Sequence, residues 1–241
     1  MCVEVLATKH QIIKARAEMR GRKLHFVSSR IERVLRKTRI INGVSVGDLR
    51  KSWDVLKTIE YLEKNLSKGA AILDIGAYAS ELICALHQLR YSDLTAIDLN
   101  AKLSRMPYGD SIRYIAGNFL HTPFSPETFE AITAISVMEH GFQGQELIKE
   151  ISRILKRGGY FIASVDYWPE KIDTSGIEAF GVDWRIFSQQ ELRDFIEQAK
   201  SFGFNPVGDI NFSVSEPTIR WYGKDYTIAW LVLQKSTGPG T

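Results

Sequence analysis

The stretch Ala71-Ile-Leu-Asp-Ile-Gly-Ala-Tyr-Ala-Ser80 is an apolar run that ends in an acid and a glycine turn. The run predicts a buried strand, and Gly76 permits the backbone after it to approach a ligand closely. Residues 82–89 then repeat apolar side chains at helical spacing, and the first N–H groups of such a helix can bind an anion. This strand, turn and helix predict an α/β domain with a ligand site at the turn.

From this stretch outward, the chain alternates β-rich runs with helical patterns. The predicted strands are residues 71–75, 94–98, 112–116, 131–137, 160–165, 207–214 and 226–234. Helical or loop crossovers separate the first five, which predicts parallel strands, whereas the last two are joined without a crossover and predict an antiparallel hairpin. We therefore expect an α/β fold with a doubly wound, mostly parallel seven-stranded sheet, helices on both faces and an antiparallel terminal hairpin.

The length of 241 residues and the hydrophobic content of 44% favour one globular domain and exclude disordered and fibrous classes. No apolar stretch approaches the roughly 20 residues that a membrane-spanning helix needs, so we predict no transmembrane segment. The N-terminus lacks the pattern of a secretory signal, and the chain has only two cysteines, Cys2 and Cys84. These features predict a cytoplasmic location.

Positive charge is concentrated at the N-terminus. Residues 1–51 carry 13 Lys and Arg against 4 Asp and Glu, whereas the remainder carries 18 against 24. We predict a basic helical N-terminal extension at 1–47, a main domain at 48–235 and a disordered tail at 236–241. The extension has the spacing of one or two amphipathic helices, with Arg16 and the other cations on the outer face. Its role stays open between a solvated helix face, a lid, a docking surface for a phosphorylated or nucleic-acid substrate, and a contact with anionic membrane.

Candidate ligand-binding residues follow the predicted strands, because ligands of open α/β sheets lie at the carboxyl ends of strands. Asp98 ends the second strand, 24 residues after Asp74. That spacing suits an acid that accepts hydrogen bonds from both hydroxyls of an adenosine ribose. Asn118 follows the third strand and offers both a donor and an acceptor to an adenine edge.

Four pieces taken in order resemble the class I S-adenosylmethionine-dependent methyltransferases of the methyltransferase type 11 kind: LDIGAYAS, AIDLN, GNFLHTPFSPETFEAITAISVMEHG and LKRGGYFIASVDY. The resemblance spans Ala70–Val165 and extends more loosely to Gln234, roughly two thirds of the chain. It implies a Rossmann-like methyltransferase fold, S-adenosyl-L-methionine as cofactor and methyl transfer as the reaction.

The same resemblance implies roles for individual residues. The implied cofactor-binding residues are Asp74, Gly76, Tyr78, Ser80, Asp98, Leu99, Asn118, Phe119, Ser136 and Met138. Asp74 and Gly76 match the glycine motif around the methionine moiety, and Asp98 matches the ribose-binding acid. Tyr78 and Ser80 stand where the family pattern has further glycines, so we expect altered packing there, with binding retained.

Methyl transfer from a sulfonium is an in-line displacement that needs positioned reactants and no covalent step with the protein. A general base is required only when the acceptor must lose a proton, as a hydroxyl does. His140 and Asp166, at or just beyond the carboxyl ends of strands, are the candidate catalytic residues.

Two further chemistries are disfavoured at the fourth strand. Ser136-Val-Met stands where methylases of amino groups on nucleic-acid bases carry an Asn/Asp-Pro-Pro-aromatic signature. The run Met138-Glu139-His140 resembles ubiquinone-type O-methyltransferases, in which this segment can hold a divalent metal. A second acid is missing where Ser136 stands, so we predict no metal site.

These observations predict a methyltransferase that acts on a small-molecule or a glycan- or lipid-linked acceptor, with oxygen favoured as the acceptor atom. Aromatic residues at 166–168, 183–184 and 221–222 are candidate walls of the acceptor pocket. Three alternatives stay open. They are a non-catalytic cofactor-binding or scaffold protein, an RNA methyltransferase that uses the basic extension, and a nicotinamide-dependent oxidoreductase, for which the GxGxxG spacing is absent.

Overall fold

A computed structural model describes residues 2–38 and 43–238, which pack as two compact units. The N-terminal unit is Ile12–Phe119, and the C-terminal unit is Leu120–Thr241 together with Met1–Gln11. Parts of three predictions lie outside the described residues: the basic position Arg39, the turn at Asn42 and the last three residues of the tail.

The N-terminal unit contains three parallel strands in the order β2-β3-β4. Its strands and helices are α1 (Lys9–Gly21, which begins in the other unit), α2 (Arg30–Lys37), α3 (Ser52–Asn65), β2 (Ala71–Ile75), α4 (Glu81–Gln88), β3 (Asp93–Asp98) and β4 (Ile112–Ala116). All five residues of β2 are buried, as expected for a strand covered on both faces. The register pairs Ile75 with Ile97 and Asp98 with Ala116, so β2, β3 and β4 end side by side.

The C-terminal unit is a mixed sheet in which β5 and β6 are parallel and β11 is antiparallel to both β6 and β1. Its elements are β1 (Val3–Val5), β5 (Phe129–Ile135), α5 (Gly144–Ile154), β6 (Leu155–Tyr167), β7 (Glu178–Ala179), β8 (Val182–Asp183), α6 (Gln189–Ser201), β9 (Phe204–Pro206), β10 (Ile219–Trp221) and β11 (Lys224–Lys235). The short strands β9 and β10 both pair with β11, and β7 and β8 form a separate two-stranded hairpin. The central strand β11 is buried from Tyr226 to Leu233.

The α/β fold class is confirmed, with mostly parallel strands and flanking helices. The predicted bounds of the strands 71–75 and 112–116 match β2 and β4, and the other parallel strands differ by a few residues at their ends. Ser188 begins α6 in a capping box: its hydroxyl accepts from the N–H of Glu191, whose carboxylate accepts from the N–H of Ser188.

The predicted strand 207–214 is wrong. Gly208 has a φ of +84°, a left-handed conformation that interrupts a strand. The backbone polar groups after it find other partners, because the carbonyl of Asp209 accepts from Cys2 N and the N–H of Asn211 donates to Val3 O. The hairpin partner of β11 is therefore the short strand β10.

The predicted faces of the basic extension are partly reversed. Met19 and Leu24 are buried as expected, but Ile31 and Val34 of α2 are 73% and 55% exposed. Arg16, predicted on the outer face, is buried. The apolar pattern of α2 therefore does not point into the core of its unit.

Among residues 2–38 and 43–238, no helix is long and apolar enough to cross a membrane.

Candidate functional site

The turn after β2 is organised by its own side chains. Asp74 is buried, and its Oδ2 accepts a hydrogen bond of 2.6 Å from the Ser80 hydroxyl, which links the two ends of the turn. Gly76 has a φ of +65° and Ala79 a φ of +64°, so the backbone twice adopts the left-handed conformation that favours glycine. Ser80 is the N-cap residue of α4, and its hydroxyl binds Asp74 in place of a backbone N–H of the helix.

Asp98 ends β3 with its carboxylate held by backbone donors. The N–H of Tyr78 donates to Oδ2 at 2.9 Å, and the N–H of Asn100 donates to Oδ1 at 2.7 Å. The predicted ribose acid is thus linked directly to the glycine-motif turn through the Tyr78 backbone. These contacts fix the orientation of the carboxylate at the carboxyl edge of the three parallel strands.

The residues of the N-terminal unit fit the nucleoside part of S-adenosylmethionine. Each carboxylate oxygen of Asp98 has two lone pairs and accepts one of these backbone hydrogen bonds, so each keeps an acceptor position for a ribose hydroxyl. Leu99, next in sequence, is 66% exposed and offers an apolar surface for a base. Asn118 is exposed and Phe119 half-buried just beyond β4. The predicted cofactor residues of this unit therefore gather at the ends of adjacent strands.

The thiol closest in sequence to this turn is chemically inert. Burial, followed by the nearby charge of Asp74, raises the pKa of Cys84 to about 12. The thiol is therefore protonated at neutral pH and is no nucleophile.

In the C-terminal unit, Ser136 directly follows β5 and has a strained backbone. Ser136 has a φ of +53° and is 6% exposed, and its Oγ has no hydrogen-bond partner within the described residues. Its N–H donates to the Ser164 carbonyl at 3.0 Å. A strained residue with an unsatisfied buried hydroxyl is typical of a ligand site. Met138, two residues on, is buried.

The two predicted catalytic residues lie in the C-terminal unit beside one tryptophan. Asp166 is buried, and its Oδ2 accepts a hydrogen bond of 2.8 Å from Trp184 Nε1. His140 forms a backbone β-bridge with Trp184. The flanking backbone adds the bonds Gly141 N to Asp183 O and Arg185 N to Glu139 O, at 2.8 and 2.9 Å.

His140 and Trp184 belong to a larger aromatic cluster. The cluster consists of His140, Phe180, Trp184, Trp221, Tyr222 and Tyr226. The rings meet mostly edge to face, with centroids 5.1 Å apart for His140–Phe180 and 5.1 Å for Trp184–Trp221. Trp184 and Tyr226 are buried at its base, whereas Phe180 is 84% and Tyr222 52% exposed. Two of the aromatic segments that the sequence singled out, 183–184 and 221–222, are thus brought together. Phe180 was missed.

Both exposed aromatic residues occupy strained turn positions. Phe180-Gly181 joins β7 to β8 with φ values of +59° and +83°, and Tyr222-Gly223 joins β10 to β11 with +45° and +74°. Two consecutive positive φ values define the type I′ hairpin turn, whose first position favours Asn, Asp or Gly. A bulky residue with positive φ is an outlier, and such outliers cluster at ligand sites.

No local sequence pattern indicates the buried ion pair that joins α1 to α4, the helix after the glycine motif. Arg16 of α1 donates to both carboxylate oxygens of Glu81 at 2.7 and 2.8 Å, and its Nε donates to Ser52 Oγ at 2.9 Å. Glu81 also accepts a 2.6 Å bond from the N–H of Phe26. Only the three-dimensional packing reveals that these residues, 65 positions apart, are partners.

A metal centre has no support in the parts of the chain that the structure describes, because no group of three His, Cys, Asp or Glu residues there is arranged to hold an ion.

A family model described as a methyltransferase domain matches residues 73–163. The sterol 24-C-methyltransferase of Clavispora lusitaniae is 27% identical over 177 residues, which cover 66% of this chain and 46% of that protein. Squalene methyltransferase 1 of Botryococcus braunii is 25% identical over 176 residues, with coverages of 65% and 46%. The chain thus spans about half the length of the curated relatives it matches.

Solved structures share the fold. A putative sarcosine dimethylglycine methyltransferase from Galdieria sulphuraria superposes with a TM-score of 0.56 at 15% identity, covering 79% of this chain and 89% of that one. The geranyl diphosphate C-methyltransferase of Streptomyces coelicolor gives a TM-score of 0.52 at 15% identity, with coverages of 74% and 78%. The matched family model and the shared fold therefore identify residues 73–163 as a class I S-adenosylmethionine-dependent methyltransferase domain.

Proposed function

We propose that this protein transfers the methyl group of S-adenosylmethionine to a carbon atom of a small acceptor with an apolar, lipid-like body. The observation that carries the acceptor class is the aromatic cluster, in which two exposed rings are kept at strained hairpin positions. The names of the relatives, which are sterol and squalene methyltransferases, support the same class. We propose carbon as the acceptor atom in place of the oxygen that the sequence analysis favoured. The reason is that one relative is named for carbon methylation and the other for squalene, a hydrocarbon.

The N-terminal unit supplies the cofactor-binding residues in this proposal. Asp98 accepts the ribose hydroxyls, Leu99 packs against the adenine, and the turn from Gly76 to Ser80 holds the methionine part. When bound, S-adenosylmethionine supplies an electrophilic methyl group on a sulfonium.

The aromatic cluster has two properties that suit an apolar acceptor. Its exposed rings, Phe180 and Tyr222, offer apolar contact area, and the faces of Trp221 and its neighbours attract positive charge that develops on an alkylated carbon. His140 packs edge to face against Phe180 and can take up a proton from the acceptor. Asp166 positions Trp184 through its hydrogen bond to the indole.

Two proposals concern the setting of the reaction. Cys2 and Cys84 are free and buried, as suits a reducing compartment, and we propose the cytoplasm as the location. The basic extension is not assigned to RNA, because the features above favour an apolar acceptor.

The test combines binding and turnover on the full chain. Calorimetric titration with S-adenosylhomocysteine should show micromolar binding, and NAD should show none. Incubation with S-adenosylmethionine and an isoprenoid alkene should give a methylated hydrocarbon by mass spectrometry, whereas a catechol should stay unchanged. Methylation of the catechol alone would restore oxygen as the acceptor atom. Binding without turnover on either class would favour a scaffold.

Replacing Phe180 or Tyr222 with asparagine separates turn stability from acceptor binding. Asparagine is preferred at this turn position, so the melting temperature should stay the same or rise. Loss of one aromatic contact should raise the KM for the alkene about 10-fold, with the affinity for S-adenosylhomocysteine unchanged. Tyr108→Asn is the matched control, because Tyr108 also has a positive φ of +64° before a glycine but lies outside the cluster. An unchanged KM in both cluster variants would remove the cluster from the acceptor site.

A further inference from the structure

The first observation concerns how α1 is attached to α4. The Arg16–Glu81 pair is buried on both sides, with side-chain exposures of 6% and 2%. Glu81 is the first residue of α4 and follows the glycine-motif turn directly. The Arg16 guanidinium is therefore anchored one residue beyond the turn that approaches the cofactor, through a planar, bidentate contact.

The second observation concerns residues Val44–Asp48, which we call the N-terminal strap. The N–H of Gly47 in the strap donates to the carbonyl of Ala79 at 2.9 Å. A Cβ atom at Gly47 would lie 2.8 Å from Val27 Cγ2 and 3.2 Å from Glu81 Cδ, so the strap is packed closely against the start of α4. The strap thus contacts the motif turn through the backbone, independently of the ion pair.

The third observation concerns the strain in the turn itself. Ala79 has a φ of +64° without being a glycine, a conformation that persists only where the surroundings hold it. Its carbonyl is held by Gly47, and its N–H faces Met106 Sδ at 3.3 Å. The preceding residue, Tyr78, donates its N–H to Asp98. A displacement of the strap would therefore move Ala79 and the adjacent Tyr78, whose N–H binds the carboxylate of Asp98.

We propose that α1 and the N-terminal strap are a fixed part of the cofactor site, in which Arg16 and Gly47 are positioning residues for the turn at 78–80. The turn holds Ala79 at a positive φ, and the contacts of α1 and the strap supply the restraint that keeps it in a binding conformation. This inference rests on the proposed use of S-adenosylmethionine and adds a role for a segment outside the matched methyltransferase domain.

The test uses Gly47→Ala in the full chain, with Gly203→Ala as the matched control. Both glycines have nearly the same positive φ, +81° and +84°, but nothing lies within 4 Å of a Cβ at Gly203. Both variants therefore carry the same backbone strain, and only Gly47→Ala pushes the strap away from Val27. We expect Gly47→Ala to weaken the binding of S-adenosylhomocysteine about 10-fold by calorimetry and Gly203→Ala to leave it unchanged.

A second substitution makes the test independent of general destabilisation. Val27→Ala removes the methyl group nearest to the added Cβ and leaves the 3.2 Å contact with Glu81 Cδ, so the double variant Gly47→Ala/Val27→Ala should regain part of the wild-type affinity. Equal affinities of Gly47→Ala and wild type, or no recovery in the double variant, would overturn the inference while the proposed function stands. Failure of the wild-type chain to bind S-adenosylhomocysteine would instead overturn both.

Discussion

Asp98→Ala should abolish the binding of S-adenosylhomocysteine at concentrations that saturate the wild-type chain. The carboxylate is expected to accept both ribose hydroxyls, and hydrogen bonds to a charged group contribute about 1.5–3 kcal/mol each. Losing both corresponds to an affinity weaker by roughly 100-fold or more. The substitution also removes the acceptors of Tyr78 N and Asn100 N, so the turn after β2 loses its link to β3.

Two further variants show which property of Asp98 matters. Asp98→Asn keeps the shape but places an amide donor against one of the two backbone N–H groups, so its affinity should also fall by more than about 10-fold. Asp93→Ala, at the exposed amino end of the same strand, should bind as wild type. Calorimetry of the three variants measures these differences. Wild-type affinity in Asp98→Ala would place the nucleoside elsewhere.

Arg16→Met should lower the free energy of unfolding by about 3–5 kcal/mol, because it leaves the buried carboxylate of Glu81 without its cation. The N–H of Phe26 remains as one donor, which does not neutralise the charge. For a chain of this length, such a loss corresponds to a melting temperature lower by roughly 6–20 °C. Glu81→Gln should act similarly, since it leaves the Arg16 guanidinium buried and unneutralised.

The control variants separate a buried pair from an exposed one. Arg16→Met/Glu81→Leu replaces both charges with apolar side chains and should recover much of the lost stability. Arg50→Met breaks an exposed pair with Asp48 and should cost less than about 1 kcal/mol. Scanning calorimetry measures all four variants. A small effect of Arg16→Met, comparable to that of Arg50→Met, would show that the pair is solvated in solution.

The arrangement of the proposed cofactor-binding residues along one sheet edge could be predicted because its signals are local. Asp74 lies near the end of β2, Gly76 directly follows β2 and Asp98 ends β3, and the ends of parallel neighbours must meet at one edge of a sheet. The capping box of Ser188 and Glu191 is local in the same sense, since its partners are three residues apart.

The aromatic cluster could be predicted only as a set of separate aromatic segments. Trp184 and Trp221 are 37 positions apart in sequence, and their rings meet because the segment after β8 packs against the end of β10 in the C-terminal unit. Phe180 gave no pattern of its own, since its importance lies in a positive φ at a hairpin turn. Backbone strain of this kind becomes visible only in coordinates.

The sequence by itself determined the α/β class and the order of the parallel strands along the chain, because apolar periodicity and turn chemistry act over a few neighbours. The tertiary structure decided which charged residues are buried and which apolar ones stay outside, as Arg16 and Ile31 demonstrate. It also decided that the segment 207–214 is no strand. The physical reason is the same in these cases: burial and pairing depend on partners that are distant in sequence, and no local pattern specifies them.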